Sequence, residues 1–287
     1  AAAPEVEATI RRALGRTYIN LARLDMAEES LVRAQELAQT GRVPPDEAIE
    51  IQVTLAMLRM DQDRQEEALS LASDALSRAR THVPDDAELL IDALTLVAST
   101  QYRLGRLDEA ERAFQEAYDL GQVELPDDDR TLAAGASLAL VLQRTGRSPE
   151  ALPLSESVVE SYRRTLGPEH PDTLTAANNL ARLYDALDQH GKAGELFDQI
   201  LAARRRTLGD QHVDTLVSLA TSARHCTLTQ EYERSEAMYL EAFRGFDRTL
   251  GSDHEYTAIA RDGLPRLYDA WGKPGEADRW RSPTPPR

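Results

Sequence analysis

The stretch Thr165-Leu-Gly-Pro-Glu-His170-Pro-Asp-Thr-Leu174 decides how this chain is read. Its skeleton returns at Thr207-Leu-Gly-Asp-Gln-His212-Val-Asp-Thr-Leu216 and again at Thr249-Leu-Gly-Ser-Asp-His254, each time after 42 residues. A fixed period of that size marks an array of supersecondary units, each burying its apolar face on its neighbours. Working outward, one small residue keeps the same register along the whole chain: Ala27, Ala68, Ala110, Ala151, Ala193, Ser235 and Ala277, at steps of 41 or 42. Twelve residues before each stands another small residue, Gly15, Ala56, Ala98, Ala139, Ala181 and Ala223, with Pro265 in the seventh place.

Small side chains at two matched sites let antiparallel helices approach to about 8–10 Å. Each unit therefore reads as a helical hairpin, first helix then second, joined by a short turn such as Leu104-Gly-Arg-Leu107. Asp25 and Asp108 are expected to cap second helices, with Glu28 and Glu111 completing capping boxes. Ser148-Pro149 reads as a cap before a proline at the first helical position. Gly167, Gly209 and Gly251 end second helices behind arginines, and Pro171 and Asp172 suit the opening of the next first helix. Pro265 falls inside a first helix, where it is expected to kink or break it at a cost of about 3 kcal/mol.

The Leu14-Gly15, Tyr18 and Ala27 set, and the Leu180-Ala181, Tyr184, Ala193 and Phe197 set, resemble the tetratricopeptide repeat (TPR) signature. The 42-residue step, the Leu-Gly-x-x-His-Pro-Asp-Thr motif and Asn178-Asn179-Leu-Ala resemble the longer kinesin-light-chain-like variety. Ala151-Leu-Pro153-Leu154 resembles an opening frequent in bacterial regulatory proteins of this kind. The resemblance implies an all-α fold, a right-handed superhelical solenoid of about seven hairpins. It assigns one array over 4–281, with repeats at 4–41, 45–82, 85–122, 126–166, 171–208, 212–250 and 254–281, followed by a Pro-rich tail at 282–287. Ala1, with no initiator Met, reads as the start of a fragment.

Composition narrows the partners. The formal net charge is −16, and the excess is uneven: residues 1–164 carry 18 basic and 30 acidic groups, residues 165–287 carry 15 and 19. Such a surface repels phosphate backbones and anionic lipid, so nucleic acid is not an expected partner. No apolar run approaches the ~20 residues of a membrane span, and the expected location is cytoplasmic. A single cysteine, Cys226, excludes an internal disulfide. It occupies the site held by Tyr184 and Tyr268 in neighbouring repeats, a packing position. No phosphate-binding glycine loop or nucleophile motif is present, so the chain is expected not to be an enzyme and to need no cofactor. His170, His212 and His254 fall one repeat apart, roughly 18–20 Å by helix spacing, too far to share a metal ion. They are read as loop or capping residues.

The remaining face of each first helix carries the functional expectation. The TPR resemblance implies that this stripe lines a concave groove for an extended peptide or a partner helix. Arg16 opens it, and Met57, Met60 and Tyr102 make an apolar, adaptable middle. Asn178 and Asn179 can bond a peptide backbone, and Arg182, Arg224 and Arg266 form a column at 42-residue spacing suited to carboxylates. The competing expectation is that these arginines pair with Asp185, Asp262 and Asp269 within the array. The function that follows is a non-catalytic protein–protein interaction scaffold, serving as a regulatory region of a larger protein, that takes a segment acidic at one end. The alternative is a homo-oligomer formed through the C-terminal end of the array, around Leu264, Tyr268 and Trp271.

Overall fold

The computed structural model describes residues 3–281, which fold entirely into helices and connections. The Pro-rich tail at 282–287 and Ala1 lie outside the described residues. The chain divides into two compact units, one ending at Arg147 and the other beginning at Ser148. The first holds α1 (Pro4–Asn20), α2 (Leu24–Ala38), α3 (Pro45–Asp61), α4 (Gln65–His82), α5 (Ala87–Arg103), α6 (Leu107–Glu124) and α7 (Asp129–Arg144). The second holds α8 (Ser148–Thr165), α9 (Pro171–Ala186), α10 (His190–Leu208), α11 (Val213–Leu228), α12 (Tyr232–Leu250), α13 (Glu255–Ala270) and α14 (Pro274–Arg281). No described helix is long and apolar enough to cross a membrane.

Within each unit consecutive helices pack on one another, and the first helices of successive hairpins also touch: α1 on α3, α3 on α5, α5 on α7, then α9 on α11 and α11 on α13. The small residues make this possible. Ala27, Ala68, Ala110, Ala151, Ala193, Ser235 and Ala277 are all fully buried, as are Ala56, Ala98, Ala181 and Ala223. A Cβ placed on Gly15 would stand 2.4 Å from the Leu31 side chain, well inside contact distance. The core consequently runs along each unit instead of sitting at one centre. Ile49, Ile91 and Leu94 belong to it in the first unit, and Leu216, Leu219 and Phe246 in the second.

Every hairpin turns through one left-handed residue, always five positions before the small residue of the second helix: Ala22, Asp63, Gly105, Gly146, Asp188, Gln230 and Gly272. The next amide closes the turn by reaching five residues back, as Arg23 N–H does to the Tyr18 carbonyl (2.8 Å) and Glu231 N–H to that of Cys226 (2.8 Å). This closure relocates two expected caps. The second helices start two residues earlier than expected, so Asp25 and Asp108 sit in the first turn and oppose the dipole without capping it. Glu28 and Glu111 turn outward to the following hairpin's arginines, Arg59 (2.8 Å) and Arg147 (2.6 Å).

The motif histidines are caps. His170, His212 and His254 precede α9, α11 and α13 in extended backbone, and each Nδ1 accepts from an amide two residues on, at 3.3, 3.2 and 3.1 Å. Pro265 does not break its helix: α13 runs unbroken from Glu255 to Ala270 with Pro265 buried inside it. The bond it cannot donate is offset by burial of Leu264, Leu267 and Tyr268 beneath α14.

Two measurements check this architecture. Ala110→Leu should destabilise the protein by roughly 1–3 kcal/mol in denaturant unfolding, because the seam has no room for the added carbons. At the turns, Gly105→Ala should lower stability and Gln230→Gly should raise it, each by about 1 kcal/mol, because only glycine adopts left-handed backbone without steric cost.

Candidate functional site

In the first unit, the exposed faces of α1, α3 and α5 meet over an open hollow of about 360 Å³. Its floor is apolar, with Val53, Met57 and Met60 on α3 backed by Leu89 and Leu96 on α5. Charges ring it in compensated groups. Arg12 reaches Glu47 (2.9 Å) and Glu50 (2.5 Å), and Arg130 reaches Glu88 (3.0 Å) and Asp92 (3.2 Å). Burial raises the Glu50 and Asp92 carboxyls above the ordinary carboxylate range, against the pull of those arginines. Arg16 lies on the rim, exposed, and has no ion pair among the described residues. The structure thus brings Arg16, Met57 and Met60 to one hollow. Tyr102 is not among its lining residues; the Arg144 guanidinium lies over its ring, 4.8 Å from the centroid.

The second unit carries the arginine column. Arg224 on α11 and Arg266 on α13 are exposed and have no ion pair among the described residues, while Arg182 on α9 is half-buried. The aspartates expected to neutralise them are engaged elsewhere. Asp262 takes Arg261 (3.1 Å), Asp269 takes Arg281, and Asp185 takes two histidines. Burial pushes the Tyr239 hydroxyl up to about 12, with Arg224 and Arg266 both drawing it the other way, so the two cations share one neighbourhood. Asn178 is buried and its Oδ1 accepts from the Thr221 hydroxyl (3.0 Å), which joins α9 to α11. Asn179 is half-buried beside it.

Two other sequence expectations can be placed. Cys226 is buried, and loss of solvent pushes its thiol up to about 11, far from a reactive thiolate. Leu264 and Tyr268 are buried with Trp280 of α14, and Trp271 stacks on Tyr232 and Tyr268. Those residues fill an interior cluster and do not form an open end. A more exposed apolar stripe lies on α1, at Val6, Ile10 and Leu14.

One constellation escaped the sequence reading. Asp185 at the end of α9, His190 at the start of α10 and His225 on α11 converge, with His225 Nδ1 2.8 Å and His190 Nδ1 3.0 Å from Asp185 Oδ1. The register offered a signal. Asp185 and His225 stand four and two residues after the small residues Ala181 and Ala223 of adjacent first helices, on faces that touch.

A tetratricopeptide repeat family model matches residues 47–122 and 130–205, and a second tetratricopeptide repeat model matches 13–40. No curated protein is a significant match to the sequence. Among solved structures, a putative kinesin light chain of Podosopora anserina with nearly identical TPR-like repeats is 27% identical, covers 67% of this chain and 91% of its own, and superposes with a TM-score of 0.57. BtubC (BKLC) from P. vanneervenii is 20% identical over 88% of this chain and 94% of its own, with a TM-score of 0.64. The Rap conjugation gene regulator of plasmid pLS20, solved in complex with the Phr* peptide, is 16% identical over 94% of this chain and 70% of its own, with a TM-score of 0.65. The last two show likeness of fold alone. Seamed hairpins, histidine-capped junctions and matches over more than half the sequence lead to one conclusion: the chain belongs to the tetratricopeptide repeat family, and its repeats are of the 42-residue, kinesin-light-chain-like type.

Proposed function

We propose that this protein is a non-catalytic interaction scaffold that holds a segment of another protein on the exposed faces of its first helices. The observation that carries the reading is the hollow floored by Val53, Met57 and Met60, an open apolar floor beside which Arg12 and Arg130 already hold carboxylates and Arg16 stands exposed on the rim. Methionines adapt to varied side chains, which suits a surface that receives a segment and not a rigid small molecule. In the second unit, exposed Arg224 and Arg266, with no carboxylate of their own, favour a partner bearing acidic groups, and half-buried Arg182 lies in the same column. The Rap regulator, which shares the fold, is solved with a peptide, and that supports a segment as the guest.

Chemistry speaks against catalysis. The chain's one thiol is buried and held protonated, and the hollow's Glu50, Glu88 and Asp92 are matched to arginines. Cys226 should stay unmodified by a thiol reagent at pH 8 in the folded protein and react promptly in denaturant; rapid modification of the native form would put the thiol in solvent.

The binding reading is tested with a displayed library of 15-residue peptides selected on the whole chain. Selected sequences should be enriched in Asp and Glu at one end. Arg224→Glu with Arg266→Glu should weaken the acidic-ended peptides at least 10-fold at low salt, and Met57→Ala with Met60→Ala should weaken those that bind through apolar side chains. Equal affinity in both double variants would remove the first-helix faces as the binding surface.

A further inference from the structure

The array's own repeats serve as an internal reference, and against it the Asp185 cluster departs at three places at once. The position of His225 is Thr17, exposed, in the first repeat, and Leu58, Thr100, Val141, Leu183 and Leu267, all buried, in the other first helices. The position of Asp185 is Ile19, Met60, Tyr102, Gln143, Thr227 and Asp269 elsewhere, so packing does not call for a carboxylate there. The residue after the small seam residue is Glu or Leu in repeats one to four, but Gly194 here, and a Cβ on it would lie 2.9 Å from His225 Nε2. A carboxylate, an imidazole and the space for that imidazole occur together.

Their arrangement is that of a ligand set. One donor atom from each of Asp185, His190 and His225 lies within 4.8 Å of the others, and both Nδ1 atoms already face the same carboxylate oxygen. Tetrahedral zinc, with bonds of about 2.0–2.1 Å, sets its donors roughly 3.3 Å apart, so small side-chain rotations suffice. The three residues come from three helices packed on one another, which fixes their backbones. Asp185 and His225 are buried, and the Phe197 ring lies 5.4 Å from His225, a dry wall on one side. His190 is about one-third exposed and leaves the other side open to solvent. A buried carboxylate needs a compensating positive charge, and among the described residues the ion-pair partners of Asp185 are these imidazoles, with no Lys or Arg.

We propose that Asp185, His190 and His225 bind one divalent transition-metal ion of the zinc type. Two imidazole nitrogens and one carboxylate oxygen suit zinc and its first-row neighbours and disfavour magnesium and calcium, which take oxygen. The ion replaces the two N–H···O bonds. Each Nδ1 lone pair turns to the metal, and the proton it carried leaves for solvent or moves to Nε2. The carboxylate becomes the third ligand, and water completes the fourth position on the open side. Bound there, the ion fastens α9, α10 and α11 across adjacent repeats and adds stability that a chelator removes.

The test uses the full chain, stripped with chelator and titrated with zinc by calorimetry and with cobalt for its visible absorption. The expected result is one equivalent per chain, tetrahedral cobalt bands, and a raised thermal midpoint. His190→Ala, at a partly exposed helix start, and His225→Leu, which restores the side chain used in other repeats, should each weaken binding by about 100-fold or more, since even outer-sphere changes cost 10–100-fold. His170→Ala, in a cap far along the sequence, should bind as the parent does. No stoichiometric binding by the folded parent, or unchanged affinity in His190→Ala or His225→Leu, would overturn the assignment and leave the cluster a hydrogen-bonded core element.

Discussion

Everything in this molecule depends on how closely two helices can approach. The seam residues leave no side chain between the helices, so backbones close and the longer Leu, Ile and Phe residues interlock on either side. Once that face is spent on the partner helix, the other face of each first helix is left over. Under the proposed function, binding falls to whatever the seam does not use. The methionine floor of the first unit and the arginines of the second are both residues of that kind.

Much of the plan is legible because it repeats. The seam register and the hairpins follow from period and side-chain size, the motif histidines read as loop or capping residues, and each has its counterpart in the structure. The misses have separate physical origins. Asp25 and Asp108 look like caps by residue type, but the left-handed turn closes tightly and shifts the helix start, a backbone effect invisible to a pattern of side chains. Pro265 looks like a breaker by propensity, and tertiary burial overrides it. Leu264 and Tyr268 look like an open end only if α14 is discounted, yet its eight residues bring Trp280 to cover them. The candidate site was legible where it is a column at fixed spacing. It was not where it draws on different offsets in different helices, as Asp185, His190 and His225 do.

Two buried polar groups of the second unit contrast with each other. Arg204 is almost wholly buried, and its guanidinium donates to the Asp214 carbonyl (2.9 Å), the Ser218 hydroxyl (2.9 Å) and the Thr175 hydroxyl (3.1 Å). Desolvation lowers its pKa, Asp214 pulls the other way, and neutral acceptors satisfy its donors. Asp185 instead has two imidazoles, groups that can hand their lone pairs to something else. The first arrangement is complete as it stands, and the second has coordination to offer.

The distance between the two seam residues of a hairpin is twelve every time, whereas the stretch from one hairpin's second seam residue to the next hairpin's first is 29 or 30. The hairpin is thus a rigid cassette and the junction is where length is tolerated. Because most junctions in the second half end in the same His-capped start, a gene segment cut at one and joined at another would regenerate a proper cap and an uninterrupted seam. Array length is therefore an easily inherited variable in such a protein, and a lineage could lengthen or shorten its reach without inventing a new fold.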